Sequence, residues 1–526
     1  MKIKTLLAAS LVFFKAGILS AADCAPARVL YDKGGFAEAE KILLAIPGTL
    51  DLPCLKLLAE SQLAQGRLKE AAVSFGKVSK SANQDKDSLR NLARLYSWTN
   101  RFSESVAAYD AVISLDPADF SSAVEKARVL GWDKRYIEAS LAYKTAFEIS
   151  KQAWIEEERL GKENMWSRRP ATGLRHLEKA AELNDGDTEV LFDLAQFYSG
   201  SGEYERARSY YDRLLKTAPY HTAAIRSAGK NSVNLDKFRL FTGADLWDAH
   251  SSERMTDVRR LNYFAALSKR LDRRFMLTGT GSAGRYSFKG APSLDERGGG
   301  LALDYSGGFE CGAGVSYAKK AYVQNVSSRE SYSVYGWKKA LENLSISAAA
   351  GKENLLNNYA NVKESRDNSY RNLRADWDAN RFMLAGADWR GGKINDGNKF
   401  EMYGADARLM YYEEPAAFYS ILRYEKRRYN RHSGYYFAPK DYNTYSFTQV
   451  FKKNIGEEGL YYGAADTYYE FKCAIAYDES AYLSFHPSLV LYKDFSTCLN
   501  LKAGWSLTAS HYYRDNYYFL HAGWMF

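Results

Sequence analysis

Beyond its first twenty or so residues, the chain has no run of about 18 consecutive apolar residues, so no later segment reads as a membrane-spanning helix. Proline is scarce, 10 residues in 526, which excludes collagen-like and proline-rich extended classes. Cysteine and histidine are scarcer still, 5 and 7. His432, His486, His511 and His521 are scattered without metal-ligand spacing or a recognisable Ser-His-Asp arrangement. His432 and His511 fall in expected outer loops, where membrane-embedded proteases keep an Asp-His pair, but solvated rim histidines are the commoner case. No catalytic residue, metal or cofactor is expected. The net charge of +9 is modest for this length, and no nucleic-acid partner is expected.

Tyrosine, by contrast, is abundant, and 30 of the 40 lie after residue 235. The organising stretch is the last twelve residues, Asp515 to Phe526. Tyr518, Leu520, Ala522, Trp524 and Phe526 share one face of an extended strand, opposite Tyr517, Phe519, His521, Gly523 and Met525. An apolar face with aromatics at its ends, on a strand of this length, is the unit of a transmembrane β-barrel. Lys2 and Lys4 precede an apolar run from Leu6 to Phe14, then small residues to Ala22, so residues 1–22 read as a secretory signal. Cys24 invites a lipoprotein reading, which Asp23 beside it opposes. In an exported chain, Cys24 and Cys54 flank the first helical hairpin and could close a loop as a disulfide. Cys311, Cys473 and Cys498 fall in expected strands and are left unpaired.

The first half repeats. Phe36, Leu68, Phe102, Tyr136, Pro170 and Tyr204 are spaced 32, 34, 34, 34 and 34 residues apart. Three residues on come Ala39, Ala71, Ser105, Ala139, Gly173 and Ala207, and then Phe75, Tyr109, Tyr143, Leu177 and Tyr211. This resembles the tetratricopeptide repeat over roughly residues 25–220. The resemblance implies about six helix pairs stacked into a superhelix with a groove for a protein partner, or else a rigid spacer. Residues 23–235 are the expected helical domain.

From Phe238 onward, alternation with turn residues every 10–18 positions predicts about sixteen antiparallel strands, with fourteen as the fallback. Strand starts are expected near Phe238, Val258, Phe275, Gly298, Phe309, Glu330, Leu344, Asn368, Phe382, Glu401, Ala416, Asp441, Leu460, Ala481, Thr497 and Asp515. Short turns should alternate with longer loops, among them ones at Pro292-Ser293, Asn357-Asn358 and Asn430-Arg431. The fold class is therefore a helical repeat array followed by a closed barrel over residues 236–526, with no free edge. Tyr403, Ala405, Ala407, Leu409 and Tyr411 form one lipid face. Parity then turns Arg374, Asp376, Asp388, Arg390, Asp406, Arg408, Arg423, Glu425 and Arg427 inward, because charges at mid-bilayer depth on the outer face cost roughly 2–4 kcal/mol each. Such a wall is a polar track for a hydroxyl-rich or charged solute, a rigidifying ladder of ion pairs, or both.

Tyr435, Tyr436, Phe437, Ala438, Pro439 and Tyr442 resemble the Tyr-(Phe/Tyr)-Ser-Pro-x-x-Tyr turn of exopolysaccharide export barrels, with Ala438 in place of the serine. Domain order is similar too, to the poly-N-acetylglucosamine export porin, the cellulose-export subunit and YaiO-type proteins. A second, looser version, Phe485-His486-Pro487, lies inside an expected strand. The resemblance implies an outer-membrane export porin with its repeats in the periplasm and a polysaccharide in the lumen. It implies a periplasmic protein partner in the repeat groove. An aromatic final residue resembles the insertion signal read by the barrel-assembly machinery, and outer-loop lysines and arginines are expected to meet lipopolysaccharide. A surface adhesin or receptor, and a general or nutrient porin with a scaffolding array, are the alternative readings.

Overall fold

The protein is described by a computed structural model covering residues 24–526, except 82–84, 220, 252–256, 324–325, 357, 414–415, 456–466, 480–481 and 512. The expected signal lies outside the described residues. Among these, thirteen helices precede the strands: α1 (Ala25–Asp32), α2 (Phe36–Ala45), α3 (Leu52–Ala64), α4 (Leu68–Ser81), α5 (Lys86–Trp98), α6 (Phe102–Leu115), α7 (Phe120–Trp132), α8 (Tyr136–Ser150), α9 (Ala153–Trp166), α10 (Pro170–Leu183), α11 (Thr188–Gly200), α12 (Tyr204–Thr217) and α13 (Thr222–Asp236). Two compact units result, one ending at Arg159 and one running from Leu160 to Phe526.

Period dictates where these helices begin. Asp51, Asp85, Asp119, Asp187 and His221 stand at multiples of 34 residues, and each accepts a backbone N–H at the start of α3, α5, α7, α11 or α13. The turn inside each pair uses a left-handed residue at Gly34, Gly66, Asn100, Lys134, Arg168 and Gly202. The small residues anticipated from the repeat, Ala39, Ala71, Ser105, Ala139, Gly173 and Ala207, are buried, as are Phe75, Tyr109, Tyr143, Leu177 and Tyr211. Pro170 opens α10 as a first-turn residue and breaks nothing. A β-carbon at Gly161 would come within 2.7 Å of Leu177, so α9 and α10 touch where glycine is the only residue without a clash. Cys24 and Cys54 are joined as a disulfide, Cα atoms 5.5 Å apart, tying the start of α1 to α3.

Sixteen strands follow: β1 (Arg239–Ser251), β2 (Val258–Arg270), β3 (Phe275–Phe288), β4 (Ala291–Ser306), β5 (Cys311–Tyr322), β6 (Arg329–Leu341), β7 (Leu344–Asn354), β8 (Asp367–Asn380), β9 (Met383–Ile394), β10 (Lys399–Tyr412), β11 (Ala416–Tyr429), β12 (Tyr442–Asn454), β13 (Thr467–Asp478), β14 (Leu483–Asp494), β15 (Leu499–Ala509) and β16 (Tyr513–Met525). Each pairs antiparallel with its sequence neighbours, and β1 pairs with β16 from Arg239↔Met525 to Ser251↔Tyr513, closing the barrel. Phe238 and Phe526 exchange backbone hydrogen bonds of 2.9 and 3.0 Å at what we term the terminal rim; the opposite end is the loop rim.

Several boundaries differ from the sequence reading. β4 starts at Ala291, directly after a turn through Gly290, so Pro292 and Ser293 open a strand instead of a long loop. The strand start expected near Gly298 lies mid-strand; a β-carbon at Gly300 would sit 2.7 Å from the Tyr317 carbonyl oxygen, so close strand approach accounts for the glycine. The expected start near Leu460 lies outside the described residues, and β13 begins at Thr467. Cys498 stands in the turn after β14. Pro487 lies within β14 facing outward, where the ladder to β15 is interrupted between Phe485↔Ala509 and Ser488↔Ser506.

Within the second unit, the last helices meet the terminal rim at separate turns. Thr172 donates from its N and Oγ1 to Glu342 after β6 (2.8 and 2.6 Å), and Arg168 bonds Glu413 after β10 (2.8 Å). Lys230 reaches Asp494 at the end of β14 (3.2 Å), and Arg273 after β2 pairs with Glu205. The rings of Phe197 and Phe309, the latter after β4, lie edge to face at 5.3 Å.

Acid should unfold the helices before the barrel. Burial alone would raise the Glu40 pKa, but hydrogen bonds from Gln62 and Gln65 and the Arg67 charge hold it below the usual carboxylate value. Asp85 and Asp119 are depressed likewise, against their burial, by Ser88 with Lys56 and by Arg90 with Ser122. Glu60, raised by burial, acts in the opposite direction. Depressed carboxylates lend stability above their unfolded pKa, about 4, and lose it as pH falls through their folded values. Helical ellipticity of the full chain in detergent is expected to fall between about pH 4 and pH 2; a signal unchanged at pH 2 contradicts this. Gly161→Leu is expected to cost about 1–3 kcal/mol in the same measurement at neutral pH.

Candidate functional site

Antiparallel pairing puts residues opposite one another on the same face, so one assignment of inside and outside propagates around the barrel. Around the barrel the outward set is rich in exposed apolar residues such as Leu267, Tyr263, Leu301, Val334, Leu373, Leu422, Ile475 and Trp524. On β8 to β11 the charges near mid-strand belong to the inward set, while Arg371, Lys393, Lys399 and Glu401 stand outward nearer the loop rim. On neighbouring strands Arg374, Asp388, Gly404 and Glu425 fall in one row, and Asp376, Gly386, Asp406 and Arg423 in the next.

These residues form one network. Arg374 donates to Asp376 (2.9 Å), Asp388 (3.1 Å) and Asp406 (2.9 and 3.2 Å). Arg423 donates to Asp388 (2.9 Å), Asp406 (3.1 Å) and Glu425 (3.2 Å), and Arg427 pairs with Glu425. Glycine makes this arrangement flat: a β-carbon at Gly404 would lie 2.6 Å from the Arg423 guanidinium, and one at Gly386 would collide with that of Arg374. Within the ladder Arg374 and Arg423 are more exposed than Asp388, Asp406 and Glu425, which they cover. Two of the nine expected residues stand apart from it. Arg390 pairs with Glu353 and lies 4.5 Å over the Tyr370 ring, and Arg408 lies 5.1 Å over the Tyr419 ring.

The proline turn has a different position from the wall, and a different role in the architecture. Residues 430–441 between β11 and β12 fold inward: Tyr436 is buried against Ile394 and Phe400, donates to Asp396 (2.8 Å) and accepts from Asn398 (3.0 Å). Ala438 is fully buried, which leaves no room to spare at the position where the resembled turn carries serine. Phe437 is half exposed with its ring 5.0 Å from Tyr442; Pro439 accepts from Tyr429 N (2.9 Å), and Tyr442 donates to Asp478 (2.8 Å).

A second segment meets this turn, and sequence reasoning read it only as a loop. Between β7 and β8 lies a short helix, α14 (Tyr359–Lys363), capped by Asn358. Val362 is fully buried against inward residues of the distant strands β2 to β5, namely Val258, Tyr286, Leu294 and Tyr322. The loop therefore crosses the lumen. Asn361 donates to the Tyr435 carbonyl oxygen at 2.9 Å, as does Asn358, joining the two inward loops. Arg329 anchors the crossing: buried, it donates to the carbonyls of Leu355 (3.3 Å), Arg366 (3.2 Å), Asn361 and Val362. The signals available in the sequence were Asn358, a helix-capping residue type ahead of Tyr359, Ala360 and Val362, and an arginine at the start of β6.

Comparison with known proteins supports the repeats directly. Tetratricopeptide-repeat family models match residues 87–119 and 167–228. No curated protein matches the chain as a whole sequence. Among solved structures, one described as a bacterial polysaccharide outer membrane secretin is 10% identical, covers 55% of this chain and 98% of its own, and has a TM-score of 0.43. A tetratricopeptide repeat protein from Parabacteroides merdae is 18% identical over 40% of this chain and 83% of its own, TM-score 0.31. YrrB, described as a TPR protein with an unusual peptide-binding site, is 25% identical over 30% of this chain and 82% of its own, TM-score 0.20.

Removing the Arg329 side chain takes away a charged donor shared by four carbonyls, of which those of Arg366, Asn361 and Val362 keep a backbone N–H partner, at roughly 1.5–3 kcal/mol for a charge-assisted bond. In planar bilayers, Arg329→Ala is expected to turn a barrel of low, closed conductance into one with frequent openings, and removal of residues 356–364 to give a larger, steady current. Equal conductance in all three proteins means these loops do not shut the lumen.

Proposed function

We propose that the chain is an outer-membrane export conduit for a polysaccharide, with a periplasmic helical array (residues 23–235, after a signal at 1–22) and a membrane barrel (residues 236–526). The observation that carries the reading is the division of the barrel into a charged, hydrogen-bonding inner wall and an apolar outer face. The outer face is also ordered by depth on β8 to β10. Ala375, Ala387 and Ala405 share a row, followed toward the loop rim by Leu373, Trp389 and Tyr403, then Arg371 with Gly391 and Glu401, and then Lys393 opposite Lys399. Apolar, aromatic-rich and charged levels follow one another in the same order as lipid tails, interface and head groups.

The nine wall residues, Arg374 to Arg427, line the path in this reading and offer charge-assisted hydrogen bonds to hydroxyl-rich or charged sugar units. The proline turn supports a saccharide over a general nutrient, because it resembles the turn of export barrels and is built into the mouth. The repeats offer a groove for a periplasmic partner that makes or trims the polymer. A specific observation favours a second reading: the loop rim is crossed by two joined segments, as expected of a surface receptor whose barrel stays shut.

Deletion of the gene is expected to abolish secreted polymer while cell-associated synthesis continues. Secretion at the parental level contradicts export; normal secretion together with a barrel that stays closed after loop removal favours the receptor.

A further inference from the structure

Facing the ion-pair ladder, eight strands away around the barrel, the inner wall is aromatic. Phe241 on β1, Phe264 on β2 and His521 on β16 form a cluster with ring centroids 5.2–5.5 Å apart. Phe519 continues it at 4.8 Å from His521, and Tyr517 follows at 5.8 Å from Phe519. All are inward by register, and the strip runs from the Phe241 row, through His521 and Phe519, to the row of Tyr517 and Trp247. Inward neighbours on one strand are about 6.8 Å apart, so the strip is about 20 Å long.

Two glycines decide how the rings lie. A β-carbon at Gly504 would collide with the Phe519 ring, and one at Gly243 with His521. Both rings therefore lie against the bare backbone of the adjacent strand, tilted 30° to each other, with Lys502 Nζ 5.6 Å over the Phe519 ring, while Phe241 and Phe264 meet His521 edge to face at 72° and 77°. Phe241 keeps 40% of its surface exposed. Polar groups accompany the rings: Asp245 accepts from the Tyr517 hydroxyl at 2.9 Å and lies 2.8 Å from His521 Nε2. Flat aromatic faces with hydroxyl-bonding groups beside them suit pyranose rings, whose axial C–H bonds form apolar faces edged by equatorial hydroxyls.

We propose that this strip is a sugar-stacking track, on which successive pyranose units of the exported chain rest while the opposite wall hydrogen-bonds their edges. The inference rests on the export reading and adds a binding surface to it. Several weak, equivalent stacking positions in a row hold a polymer in the lumen without trapping it, the condition that conduction imposes on any multi-site pore.

Isothermal titration of the full chain in detergent with cellohexaose tests the track, with the acyclic hexitol sorbitol as control, in intact protein and in protein lacking residues 356–364. Cellohexaose is expected to bind in at least one of the two proteins and sorbitol in neither. Phe241→Leu with Phe519→Leu, which keeps apolar bulk and removes the ring faces, is expected to weaken binding at least fivefold in a barrel that still runs as the compact, heat-modifiable form on gels. Unchanged affinity in that double variant, or no cellohexaose binding in either protein, overturns the track. If binding is unaffected but polymer secretion still requires the gene, the track fails and the export reading stands. If secretion does not require the gene, the export reading fails whatever the titration shows.

Discussion

Everything in the second unit depends on the hydrogen bonds between the first and last strands. β1 and β16 are separated by almost the whole barrel sequence, yet they pair over thirteen residues. Without that seam, two strand edges would expose unpaired N–H and C=O groups, which other chains could capture. With it, sidedness becomes a property of the whole barrel. One parity must meet the lumen on every strand, and chemistry is sorted accordingly.

Inside, the sorted chemistry is two-sided. Arginines and carboxylates are laid flat over glycines on β8 to β11, while rings are laid flat over glycines on β15, β16 and β1. In both places a missing side chain on one strand makes room for a large one on its neighbour, which keeps the lumen free of projecting bulk. Obstruction comes instead from the loop rim, where the segment holding α14 and the proline turn are joined through Asn361 and the Tyr435 carbonyl.

Much of this was legible in the residues. The 34-residue spacing of small and aromatic positions located the helix pairs because each repeat reuses one packing solution. Period-two alternation on β10, from Tyr403 to Tyr411, was enough to assign faces to its neighbours. Glycine misled: a strand start was expected near Gly298, although the run Gly298–Gly300 lies mid-strand and marks close contact between strands. Pro292 likewise read as a loop residue because tolerance for proline at the start of a strand is invisible without the register. The crossing loop could not be read at all, since burial of Val362 depends on residues of β2 to β5 that are remote in sequence. The repeat-length recurrence of aspartate at helix starts was plainly there to be found, and the aromatic strip was half visible in Tyr517, Phe519 and His521.

The contacts that α10 to α13 and Arg168 make with the terminal rim fall on turns contributed by widely separated strands, from Arg273 after β2 to Asp494 on β14. Those turns acquire their mutual positions only when the cylinder is complete. A half-closed barrel offers these helices no matching set of partners, so their seating reports completion of the barrel. Any factor that recognises the seated helices would thereby distinguish finished barrels from those still under construction.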